Sequence, residues 1–180
     1  MYNDVIMAGF GGQGIMLIGN LLAYAAIRED KNVTYLPSYG VEMRGGTANC
    51  SVVIDERPIG SPVVGRPLSL IIMNRPSLLK FEPRMKSGGI IILNKTLVDP
   101  EVSERNDIDL VAIDLNEVSE KAAGSPRLAN MVALGAYVQK SGVVAVESVT
   151  AALKDALHAK YHKMIPANKK AIEAGAAAAS

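Results

Sequence analysis

The stretch Val5-Ile6-Met7-Ala8-Gly9-Phe10-Gly11-Gly12-Gln13-Gly14-Ile15-Met16-Leu17-Ile18 decides the fold. A short apolar run closes on Gly9, and beyond Gly14 the residues Ile15, Leu17, Ile18, Leu21, Leu22, Ala25 and Ala26 recur at the spacing of one helix face. The stretch therefore reads as strand, glycine turn, helix. Working outward, Asn32 closes the helix in a polar turn, and Val33 to Leu36 is a second strand stopped by Pro37. A loop from Ser38 to Gly46 leads into a longer strand, Thr47 to Ile54. The cluster Asp55-Glu56-Arg57-Pro58 bounds that strand, and a short return through Ile59 predicts a local antiparallel pair near Ile54 to Ile59.

Farther on, Leu68 to Met73 and Ile90 to Leu93 are unbroken apolar runs, the pattern of strands covered on both faces. Ser77 to Met85 reads as the crossover helix between them, interrupted by Pro83. Leu110 to Ile113 is another strand and Glu117 to Ala123 a short helix ended by Gly124 and Pro126. The last third is helical: Leu128 to Lys140 stopping at Gly142, Glu147 to Lys160, and Ala167 to Ala174 stopping at Gly175. Strands alternating with helices predict a three-layer α/β/α sandwich around a mixed, mostly parallel, Rossmann-like sheet. One domain is expected over residues 1–175, with 176–180 as a frayed tail.

A chain of 180 residues that is 49% hydrophobic buries roughly 70% of its unfolded surface without disulfides or metal. Nineteen Lys and Arg against eighteen Asp and Glu leave +1, which gives no reason to expect nucleic acid or an acidic membrane as partner. A single cysteine, Cys50, excludes an internal disulfide and a cluster held by four cysteines. Met1 to Asp4 lacks a secretory signal and no apolar run has the length of a membrane span, so a cytoplasmic location is expected.

Gly9, Gly11 and Gly14 form a G-x-G-x-x-G between strand and helix, where unpaired amides and the positive end of the helix dipole face an anion. A nicotinamide dinucleotide would also require an acid about twenty residues on, at the end of the second strand, and that place holds Tyr35-Leu36-Pro37. A tight turn that binds nothing, or packs on a partner, is the other reading of the same glycines. In Ser38-Tyr39-Gly40-Val41-Glu42-Met43-Arg44-Gly45-Gly46-Thr47, a fixed cation is followed by two glycines and a hydroxyl. That grouping suits a guanidinium and main-chain amides meeting a phosphate or carboxylate together, with Glu42 tethering Arg44 or reaching a neighbouring subunit; a plain surface loop is the alternative. His158 and His162, four apart, have no third ligand near them and read as a solvated helix face. Cys50 reads as a small core residue, and the eight methionines as core filler. No hydrolytic triad, carboxylate pair or G-K-[ST] phosphate loop is evident, so no catalytic residue is assigned.

With those residues in hand, the sequence resembles the gamma subunits of the 2-oxoacid:ferredoxin (acceptor) oxidoreductases, the pyruvate, 2-oxoglutarate, ketoisovalerate and indolepyruvate group. The resemblance is carried by Gly9-Phe10-Gly11-Gly12-Gln13-Gly14, by Tyr39-Gly40-Val41-Glu42-Met43-Arg44-Gly45-Gly46-Thr47-Ala48-Asn49, by Ser61-Pro62 and Gly88-Gly89, by Ala129-Asn130-Met131-Val132-Ala133-Leu134-Gly135, and by Asn168, Ala171 and Gly175. The chain departs from the family pattern at Pro67-Leu68-Ser69, where an Asp often opens the strand. The resemblance implies a multisubunit enzyme that oxidatively decarboxylates a 2-oxoacid on thiamine diphosphate and magnesium, passing the acyl group to coenzyme A and electrons through iron–sulfur clusters to ferredoxin. It places the thiamine diphosphate in alpha and beta partner subunits and the clusters in other subunits or domains, a ferredoxin-like delta subunit among them. It associates the gamma unit with coenzyme A binding and with holding the assembly together, and assigns no cofactor to this chain alone. The residues it assigns to the coenzyme A phosphates or the subunit interface are Gly11, Gly12, Gln13, Gly14, Glu42, Arg44, Gly45, Gly46 and Thr47. The wording from Leu36 to Arg44 resembles the 2-oxoglutarate branch most. A free-standing nicotinamide-dependent reductase and a ligand-free assembly scaffold stay open as alternatives, as does a homodimer of the isolated chain.

Overall fold

The computed structural model describes residues 1–39 and 47–180. Its centre is a six-stranded sheet made of β1 (Asn3–Phe10), β2 (Asn32–Tyr39), β3 (Thr47–Asp55), β4 (Ser69–Ile72), β5 (Ile90–Asn94) and β6 (Asp109–Ile113), in the order β2-β3-β1-β4-β5-β6. β1, β4, β5 and β6 run parallel, whereas β3 is antiparallel to both β1 and β2. This is the mixed α/β sheet expected, but the antiparallel element is β3 itself. The return through Ile59 does not form: β3 already pairs along both edges, leaving none for another strand, and Ile59 packs under the sheet instead.

The helices are α1 (Ile15–Arg28), α2 (Arg75–Phe81), α3 (Leu115–Ala123), α4 (Ala129–Ser141), α5 (Val146–Ala156) and α6 (Ile165–Ala178). α2 begins earlier than the apolar spacing implied because Asn74 Oδ1 accepts from the Ser77 amide at 2.9 Å and Pro76 presets the first turn. At Pro83 the chain tightens into a 3-10 turn, Glu82–Arg84, as the missing amide requires. The helix expected over Glu147 to Lys160 stops at Ala156; Leu157 is extended and buried, and a separate 3-10 run covers Ala159–Met164. His162 therefore lies on that run and His158 caps its start, neither being on a continuing helix.

Residues of α1, α4 and α5 pack with Val5, Met7, Ile71 and Ile92 on one face of the sheet. Leu78 and Phe81 of α2 pack with Ile6, Ala8, Leu70 and Ile72 on the other. α4 is buried from Ala129 to Val138, the signature of a helix covered all round, because α6 lies over it, against α3, α4 and α5. The crossing explains why Gly175 does not end the last helix. A Cβ on Gly135 would lie 2.8 Å from the Ile172 carbonyl carbon, and one on Gly175 2.7 Å from that of Val132. Glycine here permits two backbones to touch. α6 continues to Ala178 with Ala176 and Ala179 buried, so residues 176–180 are not the frayed tail the alanine run suggested.

α1 leaves β1 toward one face and α2 leaves β4 toward the other. The carboxyl ends of these adjacent parallel strands thus diverge, which is where open α/β sheets form a crevice.

Candidate functional site

The turn after β1 has two positive-φ residues, Gly12 at 94° and Gly14 at 73°, a region closed to most side chains. Gly14 is the N-cap of α1; it brings no side-chain cap, and no acid sits in the first helical turn, so the early amides keep the positive end of the dipole uncompensated. Gln13 folds back beneath the turn. Its Oε1 accepts from the Phe10 amide at 2.6 Å and its Nε2 donates to the Met73 carbonyl at 3.2 Å, tying the end of β1 to the end of β4. Asn130 Nδ2 donates to the Gly14 carbonyl at 3.3 Å, and a Cβ on Gly14 would run into that amide. The inner side of the turn is thus filled by the chain's own Gln13 and Asn130. Gly11 and Gly12 are exposed, and their amides have no partner among the described residues.

Thr47 opens β3 directly opposite Phe10, and Tyr39 pairs with Ala48. Both ends of the intervening loop consequently stand at the same end of the sheet as the glycine turn. Thr47 is half-buried there, whereas Glu42, Arg44, Gly45 and Gly46 lie outside the described residues.

A cleft of about 410 Å³ opens across the carboxyl ends of β1, β4 and β5, lined by Gly12, Gln13, Met73, Asn94, Asn116, Arg127 and Asn130, with Leu97 at its rim. Asn94 is the last residue of β5; its Nδ2 donates to Asn116 Oδ1 at 2.9 Å, and Asn116 Nδ2 donates to the Pro126 carbonyl at 3.2 Å. Asn94 is fully buried and Asn130 is 5% exposed, yet Oδ1 of each has no hydrogen-bond partner among the described residues. An unpaired buried carbonyl costs about 1–3 kcal/mol, a cost that a donor on a ligand removes. Arg127 is exposed at the cleft, and its guanidinium has no ion pair among the described residues. Among the described residues the lining carries no carboxylate, histidine or cysteine.

The sequence identified the glycine turn but none of Asn94, Asn116 and Arg127, and it gave Asn130 no role. An asparagine closing the apolar run Ile90 to Leu93 was the one local signal. Cys50 is buried, its Sγ 3.6 Å from the Ile15 carbonyl oxygen, and burial pushes its thiol up to about 12. A sole, enclosed cysteine does not fit an iron–sulfur cluster. Among the described residues no three His, Cys, Asp or Glu side chains converge on a common point. No helix of the described residues is long and apolar enough to cross a membrane.

The family model described as pyruvate ferredoxin/flavodoxin oxidoreductase matches residues 4–178. Ketoisovalerate oxidoreductase subunit VorA of Methanothermobacter marburgensis is 35% identical over 175 residues, covering 96% of this chain but 35% of VorA, so the chain spans about a third of that relative. 2-Oxoglutarate synthase subunit KorC of Methanocaldococcus jannaschii is 32% identical over 158 residues, covering 87% of this chain and 84% of KorC. The crystal structure of a keto/oxoacid ferredoxin oxidoreductase gamma subunit from Geobacter sulfurreducens superposes with a TM-score of 0.84 at 28% identity, over 98% of both chains.

Proposed function

Because this chain belongs to the pyruvate ferredoxin/flavodoxin oxidoreductase family, we propose that it is the gamma-type subunit of a cytoplasmic 2-oxoacid:ferredoxin oxidoreductase and holds the anionic part of coenzyme A. In that reading alpha, beta and ferredoxin-like delta subunits carry the thiamine diphosphate, magnesium and iron–sulfur clusters that oxidise and decarboxylate the oxoacid, with ferredoxin as acceptor. The observation that supports the role of this chain is the lining of the cleft: among the described residues it consists of side-chain amides, glycine backbone, apolar side chains and the exposed Arg127 guanidinium, with no group able to exchange a proton near neutral pH. Such a surface holds and orients a ligand without reacting with it.

Coenzyme A suits the donor set. We assign its phosphates to Arg127 and the open amides of Gly11 and Gly12; Gly14, Thr47, Arg44, Gly45 and Gly46 are proposed as further anion contacts, and Glu42, itself an anion, as the tether of Arg44 or a contact to a neighbouring subunit. The coenzyme's amide and amino donors match the unpaired Asn94 and Asn130 oxygens. A nicotinamide dinucleotide suits it less well. In dinucleotide folds the second strand lies parallel beside the first and its end takes the ribose, whereas here the antiparallel β3 stands between β1 and β2.

The test uses the assembled enzyme. Arg127→Ala and Arg44→Ala are each expected to raise the KM for coenzyme A at least tenfold while leaving 2-oxoacid decarboxylation at thiamine diphosphate intact; equal loss of both half-reactions, or of neither, refutes the assignment. 2-Oxoglutarate is the proposed substrate, supported by the similarity to KorC over most of that subunit's length. Ketoisovalerate is the competing reading, favoured by the identity to VorA, and the ratio of kcat/KM for the two acids decides between them.

A further inference from the structure

We propose that the 3-10 run Ala159–Met164 and the start of α6 form a docking surface for an acidic patch on a companion subunit of the same assembly. The inference rests on membership of a multisubunit oxidoreductase, and it names a surface and a partner chemistry that the cleft does not supply.

Between residues 154 and 170 stand five lysines, Lys154, Lys160, Lys163, Lys169 and Lys170, against one aspartate, so this segment is +4 in a chain whose total is +1. Asp155 is committed to Arg28, which donates to it from Nε at 3.0 Å and from NH2 at 2.6 Å. Lys169 reaches Glu173 at 3.8 Å. Lys154, Lys160, Lys163 and Lys170 are exposed and have no ion pair among the described residues. Like charges gathered this way repel one another and contribute nothing to the fold.

Local geometry concentrates them. In a 3-10 helix side chains three apart eclipse, so Tyr161 and Met164 form one ridge and Lys160 and Lys163 the next. The run is six residues long, beyond the usual three or four, and is anchored by the Tyr161 amide donating to the His158 carbonyl at 2.8 Å and by His162 Nε2 at 2.9 Å from the Leu157 carbonyl. Tyr161 is 49% and Met164 38% exposed, and Lys160 Nζ lies 4.9 Å from the Tyr161 ring centroid. An exposed aromatic and an exposed methionine beside exposed lysines have the composition of an interface centre with a charged rim, and the charge selects an acidic partner.

Placement agrees. Gly135 faces Ile172 and Gly175 faces Val132, so α4 and α6 are antiparallel and the start of α6 lies beside the end of α4. The cleft is at the start of α4, about 20 Å away along a 13-residue helix. A subunit seated on the ridge leaves the cleft open. In VorA the matching region belongs to a polypeptide about three times as long, so a permanent neighbour is part of how this domain occurs among its relatives.

The experiment isolates the native assembly through a tag after Ser180, identifies the companions by mass spectrometry as oxidoreductase alpha or beta polypeptides, and follows their retention as salt rises from 50 to 500 mM. Wild type is expected to hold them at low salt and release them progressively. Lys160→Glu with Lys163→Glu should reduce retention at 50 mM at least tenfold and flatten the salt dependence, whereas Lys160→Arg with Lys163→Arg should preserve both. Tyr161→Ala should weaken retention without changing the salt slope. Retention unaltered by charge reversal overturns the surface while leaving the cleft assignment standing. Failure of the wild-type chain to hold any companion overturns the assembly reading and the surface with it. A dimer mass for the isolated chain that charge reversal abolishes would reassign the face to a second copy and overturn the acidic-subunit proposal.

Discussion

Gly135→Ala separates backbone propensity from packing because the two predict opposite signs. In an exposed helix interior, alanine stabilises by roughly 0.5–1 kcal/mol relative to glycine. At Gly135 the new Cβ would stand 2.8 Å from the Ile172 carbonyl carbon and 3.0 Å from its Cα. The Ile172 carbonyl oxygen would be closer still, and since non-bonded heavy atoms in ordinary contact sit about 3.5–4.0 Å apart, α4 and α6 must separate by more than about 1 Å. The obstacle is main chain, so no rotamer change relieves it. Because the clash is with main chain, the cost lies at the upper end of the roughly 1–3 kcal/mol typical of overpacking, about 3 kcal/mol, and subtracting the propensity gain leaves a net loss of about 2 kcal/mol. For a domain of this size each kcal/mol moves Tm by about 2–4 °C, so a fall of about 4–8 °C is expected. Urea and thermal unfolding of the purified chain measure it. A variant as stable as wild type, or more stable, would refute the close approach of α4 and α6.

Two further expectations concern ionisable groups. Burial alone would raise the Glu29 carboxyl, but hydrogen bonds from Lys31, Ser148 and the Ala145 amide outweigh it and hold the group below the ordinary glutamate value. A depressed folded value means its contribution is complete above about pH 4.3, the unfolded value, and is lost as pH falls through that point toward the folded value. Glu29→Gln should accordingly flatten the loss of urea midpoint between about pH 5 and 3, and a slope identical to wild type would count against the network joining α1 to the start of α5. Cys50, with its thiol raised to about 12, should resist maleimide labelling at pH 8 in the native chain and react fully in urea. Stoichiometric native labelling within minutes would mean that the β3 core is open.

The first crossover was legible because everything that specifies it is local: an apolar run, glycines able to take positive φ, and one helix face of apolar residues, all within Val5 to Ala26. β3 was legible as a strand but not as the strand between β1 and β2, because pairing partners are set by what else competes for an edge. The turn after Asp55 looked like a hairpin only because the sequence does not display that β2 already holds that edge. Gly175 illustrates the same limit. A glycine late in a helical pattern reads as a stop, and what distinguishes a stop from a helix crossing is the Val132 carbonyl, 43 positions away. The break at Leu157 was hidden because a buried leucine continues the apolar spacing of α5 even where its backbone has become extended.

The site divides along the same line, and the division says something about how it works. Its backbone half, the glycine turn, is written in consecutive residues. Its side-chain half is not, since Asn94, Asn116 and Asn130 come from the end of β5, the start of α3 and the start of α4. Only when these segments meet does it emerge that the Asn94 and Asn130 amides each spend an N–H on the protein, while their buried oxygens have no partner among the described residues. Asn130 Nδ2 also donates to the Gly14 carbonyl, so a residue of the cleft lining helps hold the glycine turn in place. Gln13 and Asn130 fill the inner side of the turn and brace it, while Gly11 and Gly12 stay exposed, the preorganisation that the proposed anion binding would need. A turn lined instead by water would lose that rigidity. Two unpaired amide oxygens cost about 1–3 kcal/mol each, a cost that a donor on the proposed ligand would remove.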